Sequence, residues 1–198
     1  MKIVALLPAL LAAGVAQAQT NVLKVDIFQP IVNTLALSFE HKLSPSSSFQ
    51  IGLAGTFSYK EEGGGFSYNN SGSPQTSGFA ITPEYRYYLS ERREAMEGFY
   101  AAPYARYQYL SQKGSYTNVA GYTQAYNASL NSFGLGLIIG RQWIFKQRFS
   151  LDAYIGPGYT FAGISSDRPD YSPAKSDFWG YYDGNYDLRG GLTFGLAF

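Results

Sequence analysis

The chain has 198 residues, with 22 glycines, 18 tyrosines and 14 phenylalanines, a single histidine and no cysteine. Its 15 basic residues nearly balance its 14 acidic ones, so it lacks the electrostatic footprint that nucleic acid or a strongly acidic partner would need. Without cysteine there is no disulfide framework and no thiolate metal site, and backbone pairing and packing must hold the fold.

The first segment, "MKIVALLPALLAAGVAQAQT", carries Lys2, an apolar run to about Val15 and the small-residue end Ala16-Gln17-Ala18. This order predicts a secretory signal peptide over residues 1–18, cleaved before Gln19. The run is too short for a spanning helix, which needs roughly 20 apolar residues. The remaining segment, 19–198, then holds 14 basic and 14 acidic residues and has the length of one domain.

From there the chain reads as strands. The first three are "VLKVDIFQP" (22–30), "TLALSFEHKL" (34–43) and "FQIGLAGTFSY" (49–59). The next two are "GFAITPEYRYYL" (78–89) and "GFYAAPYARYQYL" (98–110). "SFGLGLIIGRQWIF" (132–145), "SLDAYIGPGYTFAG" (150–163) and "YDLRGGLTFGLAF" (186–198) complete a set of eight. Apolar and polar residues alternate in them with period two. In the last strand Leu188, Leu192, Phe194, Leu196 and Phe198 share one face, opposite Asp187, Arg189, Thr193 and the glycines.

The connections sort by length. "SPSS", "SERREAMEG" and "KQR" are short and polar, whereas about 60–77, 111–130 and 165–185 are long and rich in Gly, Ser, Asn and Tyr. Only Ile31–Asn33 is short on the long-loop side. An even number of strands with this asymmetry predicts an all-β fold: an eight-stranded antiparallel transmembrane β-barrel with long extracellular loops and short periplasmic turns.

The polar faces decide which side is inside. They carry Lys24, Lys42, Arg86, Arg106 and Arg189 against Asp26, Glu40, Glu84, Asp152 and Asp187. Facing lipid, each mid-depth Arg or Lys would cost about 2–4 kcal/mol. In a dry core each unpaired charge would carry a desolvation penalty of several kcal/mol. In a narrow lumen equal numbers of opposite charges neutralise one another, with Arg106 set to reach Glu84 diagonally. Tyr88, Tyr100, Tyr104 and Gln108 would fill the rest of the lumen, with Gly134, Gly136, Gly156, Gly158, Gly191 and Gly195 leaving room. The outward face then meets lipid, with Tyr87, Tyr107, Tyr109, Trp143, Tyr159 and Phe198 near strand ends, where aromatic belts lie. Pro83, Pro103 and Pro157 each remove a ladder donor within a strand, and Pro83 and Pro103, at comparable heights on adjacent strands, predict a local bulge or gap there.

The signal peptide, the eight alternating strands and the terminal "GLTFGLAF" resemble small bacterial outer-membrane barrels of the OmpA/OmpX type. "SFEHKL", "ITPEYRYYL" and "PYARYQYL" look more narrowly like a domain-of-unknown-function family of such barrels. The resemblance implies an outer-membrane location, lipid and lipopolysaccharide as surroundings, and a monomer. It also makes Leu192, Phe194, Leu196 and Phe198 the C-terminal signal read by the barrel-assembly machinery. It brings no established activity.

Searching for chemistry supports no enzyme. His41 is the sole histidine, its parity points outward, and it lies near the short-turn end, away from the external leaflet, which argues against a Ser–His or Asp–His site. "DGNYD" (183–187) begins like a calcium loop but lacks the glycine at position six and the glutamate at position twelve. "GLGLIIG" (134–140) is a barrel face, and the sequons at Asn69 and Asn127 carry no weight. No cofactor, metal or nucleic-acid partner is expected. Aromatic loop residues such as Tyr68, Tyr122, Tyr171 and Trp179 suit either an extracellular ligand or packing within the loops. The expectation is a non-enzymatic barrel with a charge-plugged lumen and a structural or surface-interaction role. The alternatives are a narrow ion or small-solute channel and a secreted lipocalin-like carrier.

Overall fold

A computed structural model of the chain describes residues 20–57, 75–89, 96–117, 121–167 and 185–198. The signal-peptide segment and the aromatic loop residues 66, 68, 171, 179, 181 and 182 lie outside these. The strands are β1 (Asn21–Asp26), β2 (Thr34–Ser44), β3 (Ser47–Thr56), β4 (Gln75–Tyr88), β5 (Gly98–Thr117), β6 (Thr123–Phe145), β7 (Phe149–Ser166) and β8 (Tyr186–Ala197). Each pairs antiparallel with its sequence neighbour, and β1 closes on β8 from Val22↔Ala197 to Asp26↔Thr193. Closure leaves no free edge.

Two boundaries differ from the sequence reading. The first strand stops at Asp26 instead of running to Pro30, because the Asp26 carboxylate accepts the N–H groups of Phe28 and Gln29 at 2.9 and 3.1 Å. That turn leads into a single 3₁₀ turn, Gln29–Val32, with Pro30 in its first positions and Asn33 closing it at φ 54°. The stretch 111–130, expected as a loop, is mostly hairpin: β5 and β6 stay paired from Gly98↔Gln142 up to Thr117↔Thr123. Its Tyr, Thr and Ser residues have enough β preference to extend a ladder already begun below.

The prolines leave gaps and no bulges. In the β4–β5 ladder, pairing passes from Ile81↔Tyr107 to Glu84↔Tyr104 and then to Tyr87↔Ala101, in one unbroken register. Pro83 lies in the first lapse and Pro103 in the second. Pro157 marks the same kind of lapse between Gly136↔Gly158 and Ile139↔Ile155. Each proline remains paired on its other side, with Ile51, Leu137 and Leu188 respectively, so only the ladder lacking its N–H is interrupted.

Beside Pro157 the backbones close up. A Cβ on Gly156 would stand 2.6 Å from the Ile138 Cα and closer still to the Leu137 carbonyl oxygen. Backbone atoms cannot yield as a side chain can, so Gly156→Ala is expected to lower stability by about 1–3 kcal/mol. Gly163→Ala, with nothing within 4 Å of the new methyl, should stay within about 0.5 kcal/mol. Urea titration of the two variants in detergent micelles, followed by tryptophan fluorescence, separates them.

Outward positions are apolar and open: Leu53, Leu137, Ile139 and Ile155 are each about half exposed or more. The inward positions of the same barrel wall include Lys24, Glu40, Glu84, Arg86 and Asp152, all buried. This is the reverse of a carrier barrel, whose apolar face surrounds a ligand.

Candidate functional site

Inside the barrel, toward the short-turn end, three cations and three carboxylates form one connected group. Lys24 of β1 lies 2.6 Å from Glu40 of β2 and 3.2 Å from Asp152 of β7. Arg86 of β4 lies 2.6 Å from Asp152, 2.9 Å from Glu84 on its own strand and 3.7 Å from Glu40. Arg189 of β8 reaches across to Glu84 at 2.7 Å. The formal charges cancel. Among these side chains only that of Arg189 has measurable exposure, at 14%.

Neutral groups complete the network, as buried ions require if desolvation is to be offset. Gln142 of β6 accepts from Lys24 at 2.5 Å and from Arg86 at 3.3 Å, and its amide donates to the Met96 carbonyl at 2.7 Å. Gln50 of β3 accepts from Lys24 at 2.9 Å and donates to Glu84 at 3.1 Å. Tyr88 donates to Glu40 at 2.6 Å, where Ser48 also donates, and Tyr100 donates to Asp152 at 2.8 Å. The Arg86 guanidinium stands 4.4 Å from the Tyr100 ring centre, adding a cation–π contact. Every strand of the barrel thus supplies at least one member.

Glycine makes this filling possible. Tyr100 pairs with Gly140 and Tyr104 with Gly136 across the β5–β6 ladder, and Tyr154 pairs with Gly191 across β7–β8. A Cβ on any of these glycines would lie 2.5–2.6 Å from its tyrosine. The rings lie over the glycines, and cross-strand aromatic–glycine pairs of this kind pin a register. Above the network Arg189 is held between two such rings, 4.9 Å from the centres of both Tyr104 and Tyr154.

Of the ten charges expected to share the lumen, six meet in this group. Asp26 is inward and buried but is engaged in the turn after β1. Lys42 sits half-buried at the short-turn end beside a register shift between Lys42 and Ser44. Asp187 stands exposed at the loop-side end of β8 and does not join. The diagonal Arg106–Glu84 contact does not form, because Arg189 occupies that oxygen of Glu84. Arg106 instead lines a cavity above the network, together with Arg189, Tyr154 and Thr193.

Gln50 is a network member that carries no charge to single it out, although period two places it inward between outward Phe49 and Ile51. Met96 carries no such signal; it lies in the turn between β4 and β5 at φ 75°, and only its carbonyl takes part. The terminal residues behave as an outward row. Phe194 stacks on Phe149 at 5.9 Å, and the exposed Phe198 exchanges main-chain hydrogen bonds with Asn21 at 2.9 and 3.0 Å. His41 is exposed and hydrogen-bonded to Asn21 at 2.8 Å. At the loop side, Asn127 donates its main-chain and side-chain N–H groups to Asp167 at 2.7 and 2.8 Å, which holds that exposed carboxyl below its ordinary range.

A family described as protein of unknown function (DUF3575) matches residues 3–177. No curated protein matches the chain. Among solved structures, CarO of Acinetobacter baumannii aligns with TM-score 0.51 and 10% identity over 92% of this chain and 98% of its own. A major outer membrane protein from Thermus thermophilus aligns with TM-score 0.50 and 19% identity over 92% of this chain and the whole of its own. At such identities the likeness is one of fold, and it extends over nearly the entire chain.

Proposed function

Because the chain belongs to the DUF3575 family, whose description assigns no chemistry, we propose from the geometry that it is a non-enzymatic outer-membrane barrel whose lumen is plugged by charge. Its role on this reading is structural or one of surface interaction. The observation that carries it is the neutral six-charge network, spanning the barrel interior with five of its six side chains fully buried. A conducting lumen needs hydrated, mobile charges, whereas these are buried and mutually bonded. The apolar outward belt supports lipid as the surroundings, and the solved barrels of like fold include one named as a major outer membrane protein.

The same reading includes export through residues 1–18, a monomeric barrel of the OmpA/OmpX type, lipopolysaccharide around the loop-side rim, and recognition of Leu192, Phe194, Leu196 and Phe198 by the barrel-assembly machinery. His41, on the outer face at the short-turn end, hydrogen-bonds to Asn21 and makes no catalytic pair among the described residues.

Two measurements test it. The protein should fractionate with the outer membrane and migrate differently in electrophoresis before and after boiling; a soluble protein with no such shift would sink the membrane reading. In planar bilayers the wild type should hold no steady current, and a variant carrying Arg86→Ala and Tyr100→Ala should open measurable steps. Sustained wild-type current would favour the narrow-channel alternative over the plug.

A further inference from the structure

The plug is neutral within itself, and the space above it adds a guanidinium, Arg106, that the plug does not use. A cavity of about 70 Å³ lies on its loop side, room for a few waters at a minimum of about 10–15 Å³ each. Its lining carries two guanidiniums, Arg106 and Arg189, and one carboxylate, Asp26. Arg189 is already committed to Glu84 and wedged between Tyr104 and Tyr154. Asp26 is committed through Oδ1 to two main-chain N–H groups. Arg106 has no carboxylate within ion-pair distance among the described residues.

A second group points the same way. Thr193, 5% exposed and lining the same cavity, has a hydroxyl with no hydrogen-bond partner among the described residues. Buried hydroxyls are nearly always satisfied, and an orphan calls for an explanation. An uncommitted guanidinium presents several N–H donors in a planar fork that matches a carboxylate or phosphate edge. The hydroxyl across the cavity supplies a further donor, and the aromatic wall of Tyr154 lowers the local dielectric, which strengthens both contacts.

We propose that this cavity is a binding site for a small oxyanion, a carboxylate- or phosphate-sized group, held by Arg106 and Thr193. The site goes beyond the plug reading and is independent of conduction, since the network below it stays closed. It gives the loop-side mouth of the barrel a selectivity for anionic solutes or anionic ends of larger ones.

The test uses the full barrel in detergent micelles, first shown to be folded by its boiled-against-unboiled mobility shift, which separates failure of the site from failure of the barrel reading. Calorimetric titration with inorganic phosphate and, separately, with acetate should give saturable one-site binding to at least one of them, with Kd on the order of 1 mM or tighter. Arg106→Gln should weaken it at least tenfold and Thr193→Val about threefold. Arg141→Gln, whose guanidinium stacks outside the lumen on Phe99 and Trp143, should leave it unchanged. Should Arg106→Gln not fold, Arg106→Lys keeps the charge and loses the fork, and should weaken binding by several-fold. No saturable binding of either anion by folded wild type, or undiminished binding by a folded Arg106 variant, overturns the proposal.

Discussion

Arg86→Met is expected to destabilise the barrel by about 3–5 kcal/mol, the range found when one partner of a buried ionic group is removed. Arg86 touches all three carboxylates of the network, and methionine leaves them with only Lys24 and Arg189. Water cannot easily replace the guanidinium, because Tyr100, Tyr88 and Gln142 already fill the surrounding volume. Adding Asp152→Asn should recover more than about 1 kcal/mol of the loss, since the amide no longer demands a counter-charge and the coupling of contacting groups is commonly of that size. Urea unfolding of refolded protein in micelles measures both. A single-variant cost below about 1 kcal/mol, the range of exposed ion pairs, would mean that the lumen is wet and the plug reading wrong.

A comparable loss is expected on the other face. Leu137 points outward between Phe133 and Trp143 on β6 and is half exposed. On a water-soluble barrel Leu137→Arg would change stability by no more than about 0.5 kcal/mol, as exposed substitutions away from special features do. In a bilayer the same change near mid-depth should cost about 2–4 kcal/mol. Unfolding measured in phospholipid vesicles gives the answer, and a near-neutral result there would count against lipid on this face. Together the two substitutions probe opposite sides of one barrel wall.

The fold was legible because period two is a strong signal when both faces are chemically distinct. The split of Leu192, Phe194 and Leu196 from Thr193 and Gly195 places the last strand without ambiguity, and the count of eight follows from repetition. The ends were less legible. Asp26 stops β1 through its own side chain, an effect of one carboxylate on two N–H groups that no periodicity records. The β5–β6 extension was hidden because Gly, Ser and Tyr serve loops and strands alike, and only the partner strand decides. For the site, parity placed Lys24, Glu40, Glu84, Arg86, Asp152 and Arg189 inside, but not their pairing. Arg189, distant in sequence, displaced Arg106 from Glu84 because closure of the barrel brings β8 across the lumen toward β4.

That remoteness has a kinetic side. Lys24 and Asp152 are separated by 128 positions, and Glu84 and Arg189 meet only once the first and last strands have joined. Until then Asp152 lacks both of its cations and Glu84 lacks Arg189, so part of the charge on the concave side stays unpaired. A hairpin entering hydrocarbon alone would carry those charges and its unpaired edge N–H and C=O groups with it, each at a cost of several kcal/mol. Insertion one hairpin at a time is therefore disfavoured, and curling, closing and crossing into the bilayer become a single concerted event. High-separation contacts slow such an event, which makes the unassisted route sluggish and leaves the pace of assembly to whatever catalyst brings β1 and β8 together.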